Sequence, residues 1–436
     1  MFKKHIQKKL ERYVRRYFKK HSPKLIAVVG SAGKTVTKNA IATVLSTKYR
    51  VEANRGNLND QLSVPFGVLG VKYPPFSLLH KVSTWRHVFK AMRGVIKKPT
   101  DIDIIVQELA TDRPGEIAHF GEYIHPDIAV VTAVVPEHME NFPGGIDEVA
   151  REELAVASYS GLTIINRDDI DARFASLAET TNITDYGLGN GEYKFEIIGG
   201  TALSGYQVKF IGPEFPGGVE ATINLVGEHV LKSALAAGVV AAKLGMNAQE
   251  IATGLAQIKP TPGRMNPLRG VRGTTIIDDT YNSSPDAAIA ALRTLYLIDA
   301  PQRIAILGSM NELGQHSAQY HQQVGANCDP NWLDCVITIG EEAARYLAPA
   351  AKANGCRVET FPGPIYAGTF ANEILESGAV VLAKGSQNNV FAEEAVKLLL
   401  HSDEGEEKFL VRQDEEWMAK KNAWIASLRD IKQDSD

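Results

Sequence analysis

Six residues near the N-terminus have the types and spacing of a phosphate-binding loop. They are Gly30, Ser31, Ala32, Gly33, Lys34 and Thr35. A glycine turn between a strand and a helix points several backbone N–H groups at one place, and the helix N-terminus adds partial positive charge. In such a turn the Lys34 ammonium can reach terminal phosphates and the Thr35 hydroxyl can bind Mg²⁺. The segment therefore predicts a site for a nucleoside triphosphate.

The flanking residues predict the elements that hold this turn. Residues 25–29 form an apolar run typical of a buried strand, and residues 39–45 are typical of a helix. Further strand-like apolar runs lie at 102–106, 128–132 and 162–166. Apolar runs that alternate with helical stretches predict an α/β sheet with parallel strands.

Composition shifts divide the rest of the chain. The Gly-rich, alternating segment 183–225 predicts a small antiparallel insertion, and the Pro- and Gly-rich stretch 260–263 predicts a linker to a second α/β unit. We therefore expect four parts: a basic helix, a central nucleotide-binding domain, a second α/β domain and a charged tail that contains a helix. Their bounds are 1–23, 24–262, 263–402 and 403–436.

The bulk composition excludes several classes of protein. The chain has 436 residues, 44% of them hydrophobic and 22% charged, which is ordinary for a globular protein. Its net charge of −4 gives no indication of a nucleic-acid partner. No apolar run reaches the roughly 18 residues that span a bilayer, and no signal-peptide core is visible. The three cysteines form no framework, so we expect a reducing cytoplasmic location.

The first 23 residues are basic and amphipathic. Nine lysines and arginines are interleaved with apolar residues at three- and four-residue steps, which predicts a helix with one apolar stripe. Such a helix can lie on an anionic membrane at its inner face, or it can pack on the protein body with a solvated basic face. The sequence leaves both interpretations open. A second basic and aromatic stretch, 78–98, slightly favours the membrane surface.

Several separated segments, taken in order, resemble the Mur ligases, the ATP-dependent ligases that build the peptidoglycan stem peptide. The segments are 30–37, 56–59, 64–65, 108–109, 137–142, 262–264, 278–285, 308–314 and 384–386. The resemblance implies a P-loop Mur-ligase central domain with a small β insertion, followed by a Rossmann-like C-terminal α/β domain. It also implies formation of an amide from a carboxylate and an amine through an acyl phosphate, with D-Ala-D-Ala or a similar amino component added to a peptidoglycan precursor.

The resemblance assigns roles to individual residues. It implies ATP held by the phosphate loop, and Mg²⁺ held by Thr35 and Glu108, since a hydroxyl and a carboxylate suit a hard cation. It implies that His138 contributes to a second Mg²⁺ near the substrate carboxylate. Arg264 and Asp279 resemble residues that grip the nucleotide across the domain cleft.

Two departures from the family pattern change the expectations. Only 29 residues precede Gly30, where family members carry a UDP-binding domain, so a partner protein or a lipid-linked precursor is expected to replace that contact. Glu153 stands where most members have a lysine that becomes carbamylated, and its carboxylate can supply a similar negative charge near Mg²⁺. Glu152 is the competing choice by alignment.

Alternatives to the leading hypothesis remain at this stage. The same fold can serve another substrate, such as a pterin that receives glutamates or a lipid-linked wall precursor. The chain can also be a degenerate, nucleotide-binding scaffold. Turnover that requires both a carboxylate and an amine would exclude the scaffold.

Overall fold

The computed structural model describes residues 2–54, 56–136, 139–178, 180, 182–401 and 405–433. A first α/β unit follows the helix α1 (Phe2–His21). Its elements, in chain order, are β1 (Lys24–Val29), α2 (Lys34–Leu45), β2 (Val51–Ala53), α3 (Val64–Leu69), α4 (Val82–Lys97), β3 (Ile104–Glu108), α5 (Glu116–Phe120), β4 (Ile128–Val131), α6 (Ile146–Leu154), β5 (Leu162–Asn166) and β6 (Ile183–Tyr186).

These six strands form one parallel sheet in the order β2-β3-β1-β4-β5-β6. The central strands β1, β3 and β4 are apolar runs because helices cover both faces of the sheet. One face packs against α1 and α3 to α6, and the other against α2 and two later helices. The expected parallel sheet is confirmed.

The antiparallel insertion begins later in the chain than predicted. Three antiparallel strands form it, and two helices follow: β7 (Lys194–Thr201), β8 (Gly205–Gly212), β9 (Phe215–Ile223), α7 (Leu231–Lys243) and α8 (Ala248–Ala256). The prediction that the insertion begins at 183 is wrong, because Ile183–Tyr186 pairs in parallel with β5 and completes the large sheet. Aromatic side chains of β7 and β8 pack on α7, which closes the second face of that sheet.

The apolar stripe of α1 lies inside the protein. Ile6, Leu10, Val14 and Tyr17 are buried in the core shared with α3 and α4, and the Tyr13 ring stacks on a ring of α4 at 5.8 Å. The stripe therefore packs on the protein body, as in the second of the two interpretations. Most of the basic side chains of α1 stay exposed. None of the described helices is long and apolar enough to cross a membrane.

A second α/β unit holds the remaining chain. Its elements are β10 (Asn266–Arg269), β11 (Thr275–Asp279), α9 (Pro285–Tyr296), β12 (Arg303–Gly308), α10 (Ser317–Ala326), β13 (Cys335–Ile339), α11 (Ala348–Ala353), β14 (Val358–Phe361), α12 (Pro364–Ile374), β15 (Val380–Lys384), α13 (Glu393–Lys397) and α14 (Glu415–Gln433). The sheet order is β10-β11-β15-β12-β13-β14, parallel except for the edge strand β10. The strand ends of β1, β3 and β4 and those of β11 and β15 face one cleft, as is typical of ligand sites in open α/β sheets.

Candidate active site

A cavity of about 400 Å³ lies between the two sheets. The phosphate loop and the ends of β3 and β4 line one side, and the loops after β11 and β15 line the other. Residues from both units therefore meet around one volume, the size of a small-molecule site.

The phosphate loop folds as the sequence predicts, between β1 and α2. Gly30 has a φ of 127°, and a Cβ there would lie 2.3 Å from the Thr132 hydroxyl oxygen, so only glycine fits. The Thr132 hydroxyl also lies 2.6 Å from the carbonyl oxygen of Ala32 and fixes the loop from β4. Lys34 Nζ donates to the carbonyl oxygen of Gly30 at 2.6 Å, which places the ammonium over the loop.

The two residues expected to hold Mg²⁺ lie together. Thr35 Oγ1 donates to Glu108 Oε2 at 3.0 Å, and Asn59 Nδ2 donates to the other carboxylate oxygen at 2.9 Å. A hydroxyl beside a buried carboxylate is a donor set that fits a hard, partly hydrated cation. Among the residues that the structure describes, no three His, Cys, Asp or Glu side chains converge on a metal-binding cluster. His138, the further expected ligand, lies outside the described residues.

A buried lysine supports this pair, and the sequence analysis missed it. Lys38, one turn after Thr35 on α2, is 2% exposed; its Nζ lies 3.7 Å from Glu108 Oε2 and donates to the carbonyl oxygen of Asn54 at 2.9 Å. Burial lowers the pKa of Lys38, and the charge of Glu108 opposes that shift. The position i+3 from a predicted metal ligand on the same helix was the available signal.

The two adjacent glutamates of α6 have different partners. Glu153 is buried, and its Oε2 accepts the backbone N–H of Gly30 at 2.9 Å, which brings its carboxylate to the phosphate loop. Glu152 instead accepts the backbone N–H groups of Gly115 and Ile117, both at 2.6 Å, and holds the start of α5. Of the two, the geometry favours Glu153 for a role at the site.

Both carboxylate oxygens of Asp279, at the end of β11, accept hydrogen bonds. One accepts the backbone N–H of Met265 at 3.2 Å, and the other accepts a hydrogen bond from Lys384 Nζ at 2.7 Å. Lys384, at the end of β15, is 2% exposed and lines the cleft. Asp279 therefore lies in the cleft wall and orients a lysine that the sequence analysis had noted only as part of a motif.

Arg264 and Tyr281 connect the two units. The Arg264 guanidinium lies over the Tyr281 ring, 4.1 Å from its centroid, and the Asn57 amide donates to the Tyr281 hydroxyl. Burial raises the pKa of Tyr281. Arg264 thus faces the cleft from the second unit while Tyr281 reaches the first, and this contact had no separate signal in the sequence.

A polar group of the first unit lines the cleft close to the phosphate loop, since Asn166 Nδ2 also donates to the carbonyl oxygen of Thr132 at 2.8 Å. Lys232 Nζ donates to Asp169 at 2.6 Å, and Asn166 Nδ2 donates to the other carboxylate oxygen of Asp169 at 2.8 Å. His229 lies beside them, and burial lowers its pKa to about 4. These residues offer hydrogen-bonding groups to a ligand in the cleft.

The fold and the site together define an α/β protein with a phosphate loop that faces a second sheet across a cleft. Two consecutive domain models of one family match the chain: the Mur ligase middle domain at residues 28–241 and the Mur ligase, glutamate ligase domain at residues 263–387. The chain belongs to the Mur ligase family, and it is an ATP-dependent peptide ligase of the Mur type.

Individual relatives agree with the family. The UDP-N-acetylmuramoyl-tripeptide–D-alanyl-D-alanine ligase of Bacillus subtilis (strain 168) is 28% identical over 349 residues, which cover 78% of this chain and 68% of that one. A MurF structure from Acinetobacter baumannii has a TM-score of 0.74 at 24% identity and covers 90% of this chain and 80% of that one. A MurF ligase from Thermotoga maritima in complex with ADP has a TM-score of 0.73 at 23% identity, with 90% and 83% covered.

Proposed function

We propose that this ligase uses ATP to convert a carboxylate of a peptidoglycan peptide precursor into an acyl phosphate, which the amine of D-Ala-D-Ala or a similar amino component then attacks. In the first step a precursor oxygen bonds to the γ-phosphorus and ADP leaves. In the second step the C–N bond forms, inorganic phosphate leaves and the amine gives up a proton. The named activity of the Bacillus subtilis relative supports this assignment of substrates.

The observation that carries the proposal is the placement of Thr35 and Glu108 beside the phosphate loop, 3.0 Å apart, in the cleft that Lys384 faces from the other unit. Phosphoryl transfer depends mainly on positioning and charge neutralisation. The backbone N–H groups of residues 32–35 and the Lys34 ammonium would hold the phosphates. Lys384 and Arg264 would neutralise charge from the opposite wall.

Thr35 and Glu108 would hold Mg²⁺, which neutralises phosphate charge when it is bound. Lys38 and Asn59 fix the Glu108 carboxylate from behind, so its orientation is set before ligands bind. We also assign His138 to Mg²⁺ binding, on the family resemblance alone. Glu153 would add negative charge at the first glycine of the loop without the carbon dioxide that a carbamylated lysine needs.

The proposal is tested by phosphate release from ATP. Turnover should require Mg²⁺, a precursor with a free carboxylate and the amino component, and it should stop when any one of them is omitted. Added hydroxylamine should trap the acyl phosphate as a hydroxamate when the amine is absent. Nucleotide binding without turnover on any precursor would contradict the proposal and favour the scaffold.

The precursor form is resolved by the same assay. UDP-linked, lipid-linked and unlinked muramoyl peptides are compared at equal concentration, with a pterin glutamate as the alternative substrate. Higher kcat/KM on a lipid-linked form would indicate presentation from a membrane. The same value for unlinked and UDP-linked peptides would show that this chain alone does not recognise the nucleotide, as expected if a partner protein holds it.

We also propose a cytoplasmic location with peripheral contact to the inner membrane face through the basic side of α1. Lys4, Lys8 and Arg12 are exposed on that side, while the one acidic residue of the helix, Glu11, is buried. Sedimentation with vesicles that contain anionic phospholipid should fall when these three residues are changed to glutamine. The same change at Lys259 and Lys352, two exposed lysines elsewhere, should leave it unchanged. A loss per removed charge that is equal in both sets would refute the contact.

A further inference from the structure

The C-terminal segment 405–433 lies beyond the matched domain 263–387, yet it reaches the back of the cleft wall. Arg412 is nearly buried there, between α13 and the loop that follows β11. Its Nη2 donates to the carbonyl oxygen of Thr280 at 2.7 Å, and its Nη1 donates to that of Tyr281 at 2.9 Å. One guanidinium therefore holds two successive peptide groups directly after Asp279.

Buried carboxylates hold that guanidinium in turn. Arg412 Nε and Nη2 donate to the two oxygens of Glu393 at 2.7 Å each, in the bidentate geometry that fixes a guanidinium most firmly. Lys421 of α14, fully buried, lies 2.9 Å from Glu393 Oε1 and 2.6 Å from Glu394 Oε1. Two cations and two carboxylates thus balance one another inside the protein, where an unpaired charge would be strongly destabilising.

The backbone around this cluster is strained. Arg412 has a φ of 56° and Phe391 a φ of 48°, a region that residues with side chains rarely adopt. The Phe391 ring is buried between Trp417 and Trp424 of α14, with centroid distances of 6.4 and 5.4 Å. Such conformations persist only where the surroundings enforce them, and they cluster at functional sites.

The part of the site that this cluster supports is Tyr281. The Arg264 guanidinium lies over its ring, and its hydroxyl oxygen accepts a hydrogen bond from the Asn57 amide of the first unit. The Arg412 guanidinium also lies 5.7 Å from the same ring centroid. A shift of the Tyr281 backbone would therefore move the contact that joins the two walls of the cleft.

We propose that Arg412 is a positioning residue of this ligase: with Glu393 and Lys421 it fixes the Tyr281 loop from behind and so sets the geometry across the cleft. The inference rests on the ligase activity proposed above. Lysine at this position cannot bridge two carbonyl oxygens and two carboxylate oxygens with one planar group. Arg412→Lys keeps the charge and loses that geometry.

The test measures kcat and KM for phosphate release in Arg412→Lys, with thermal unfolding of the same sample. We expect kcat to fall between about tenfold and a hundredfold at temperatures where the protein is folded, since small misplacements carry that cost, while KM for ATP changes less than threefold. Arg345→Lys, an exposed arginine of the same unit, is the matched control and should match the wild type.

A double-mutant cycle separates positioning from general stability. In a Tyr281→Ala background the effect of Arg412→Lys on kcat should shrink to less than threefold, because the group it positions is gone. The proposal is overturned if folded Arg412→Lys keeps kcat within twofold of wild type, or if its effect is equal in both backgrounds. If Arg412→Lys does not fold, Glu393→Gln, which retains one acceptor oxygen, is measured by the same criteria. A wild-type enzyme without turnover would instead contradict the proposed function.

Discussion

Substitution of Glu153 tests the chemistry of the phosphate loop directly. Its carboxylate is buried and accepts the backbone N–H of Gly30 at 2.9 Å. A hydrogen bond to a charged group contributes about 1.5–3 kcal/mol, and a buried donor left without a partner costs a similar amount. If that energy is expressed in the transition state for phosphoryl transfer, Glu153→Ala should lower kcat/KM between about tenfold and a hundredfold.

Glutamine at the same position separates charge from shape. The amide oxygen of Glu153→Gln can still accept the Gly30 N–H, so the thermal midpoint should stay close to wild type. If negative charge at the loop matters, phosphate release should fall in this variant as it does in Glu153→Ala. Glu152→Gln is the matched control: it removes charge one residue away, where the carboxylate holds the start of α5, and it should lower stability more than kcat.

The assay is steady-state phosphate release with saturating precursor and amine, and with Mg²⁺ varied. Glu153→Ala and Glu153→Gln both within twofold of wild type would refute the reasoning. A normal Glu153→Gln beside an impaired Glu153→Ala would leave Glu153 as a hydrogen-bond acceptor and remove its proposed electrostatic role.

Three further outcomes are expected. Thr35→Val should raise the Mg²⁺ concentration needed for half-maximal phosphate release at least tenfold, whereas Thr43→Val, farther along α2, should not; equal Mg²⁺ requirements would contradict the ligand role. Burial raises the pKa of Asp278 to about 6, so the folded state holds its proton more tightly than the unfolded state. Its contribution to stability should therefore decline as pH rises from about 4 to 6, by about 1.4 kcal/mol per unit at most. The difference in unfolding free energy between wild type and Asp278→Asn should follow that slope in urea titrations, and a flat difference would be inconsistent with it. Leu10→Ala, at a fully buried position of α1, should lower the unfolding free energy by about 2–5 kcal/mol, against almost no change for exposed Lys8→Ala, and similar melts for both would show that α1 is not part of the core.

The sequence predicts the phosphate loop well because its signal is local. An apolar strand, a glycine turn and the Lys34-Thr35 pair at the start of a helix determine one another within about ten residues. The position of Glu108 near the loop could be predicted for a related reason. Glu108 ends a strand beside β1, and the carboxyl ends of adjacent parallel strands lie at one edge of the sheet.

Partners that are distant along the chain could not be predicted in the same way. Consecutive residues of a helix point about 100° apart, so Glu152 and Glu153 cannot be distinguished until the rotation of α6 against the sheet is known. Arg412 lies more than 130 residues from the carbonyl oxygens it holds. Its environment depends on how α14 packs, which no short pattern encodes.

The amphipathic pattern of α1 shows the limit most clearly, and it changes how membrane contact must be tested. Apolar residues at three- and four-residue steps indicate that one face is buried, but they do not indicate what covers it. Here α3 and α4 cover it, with Leu10 and Val14 fully buried. Deletion of α1 would expose that core and confound lipid binding with unfolding. Charge substitutions on the exposed face avoid this problem, because they remove the electrostatic attraction that a peripheral contact requires and leave the packed stripe unchanged.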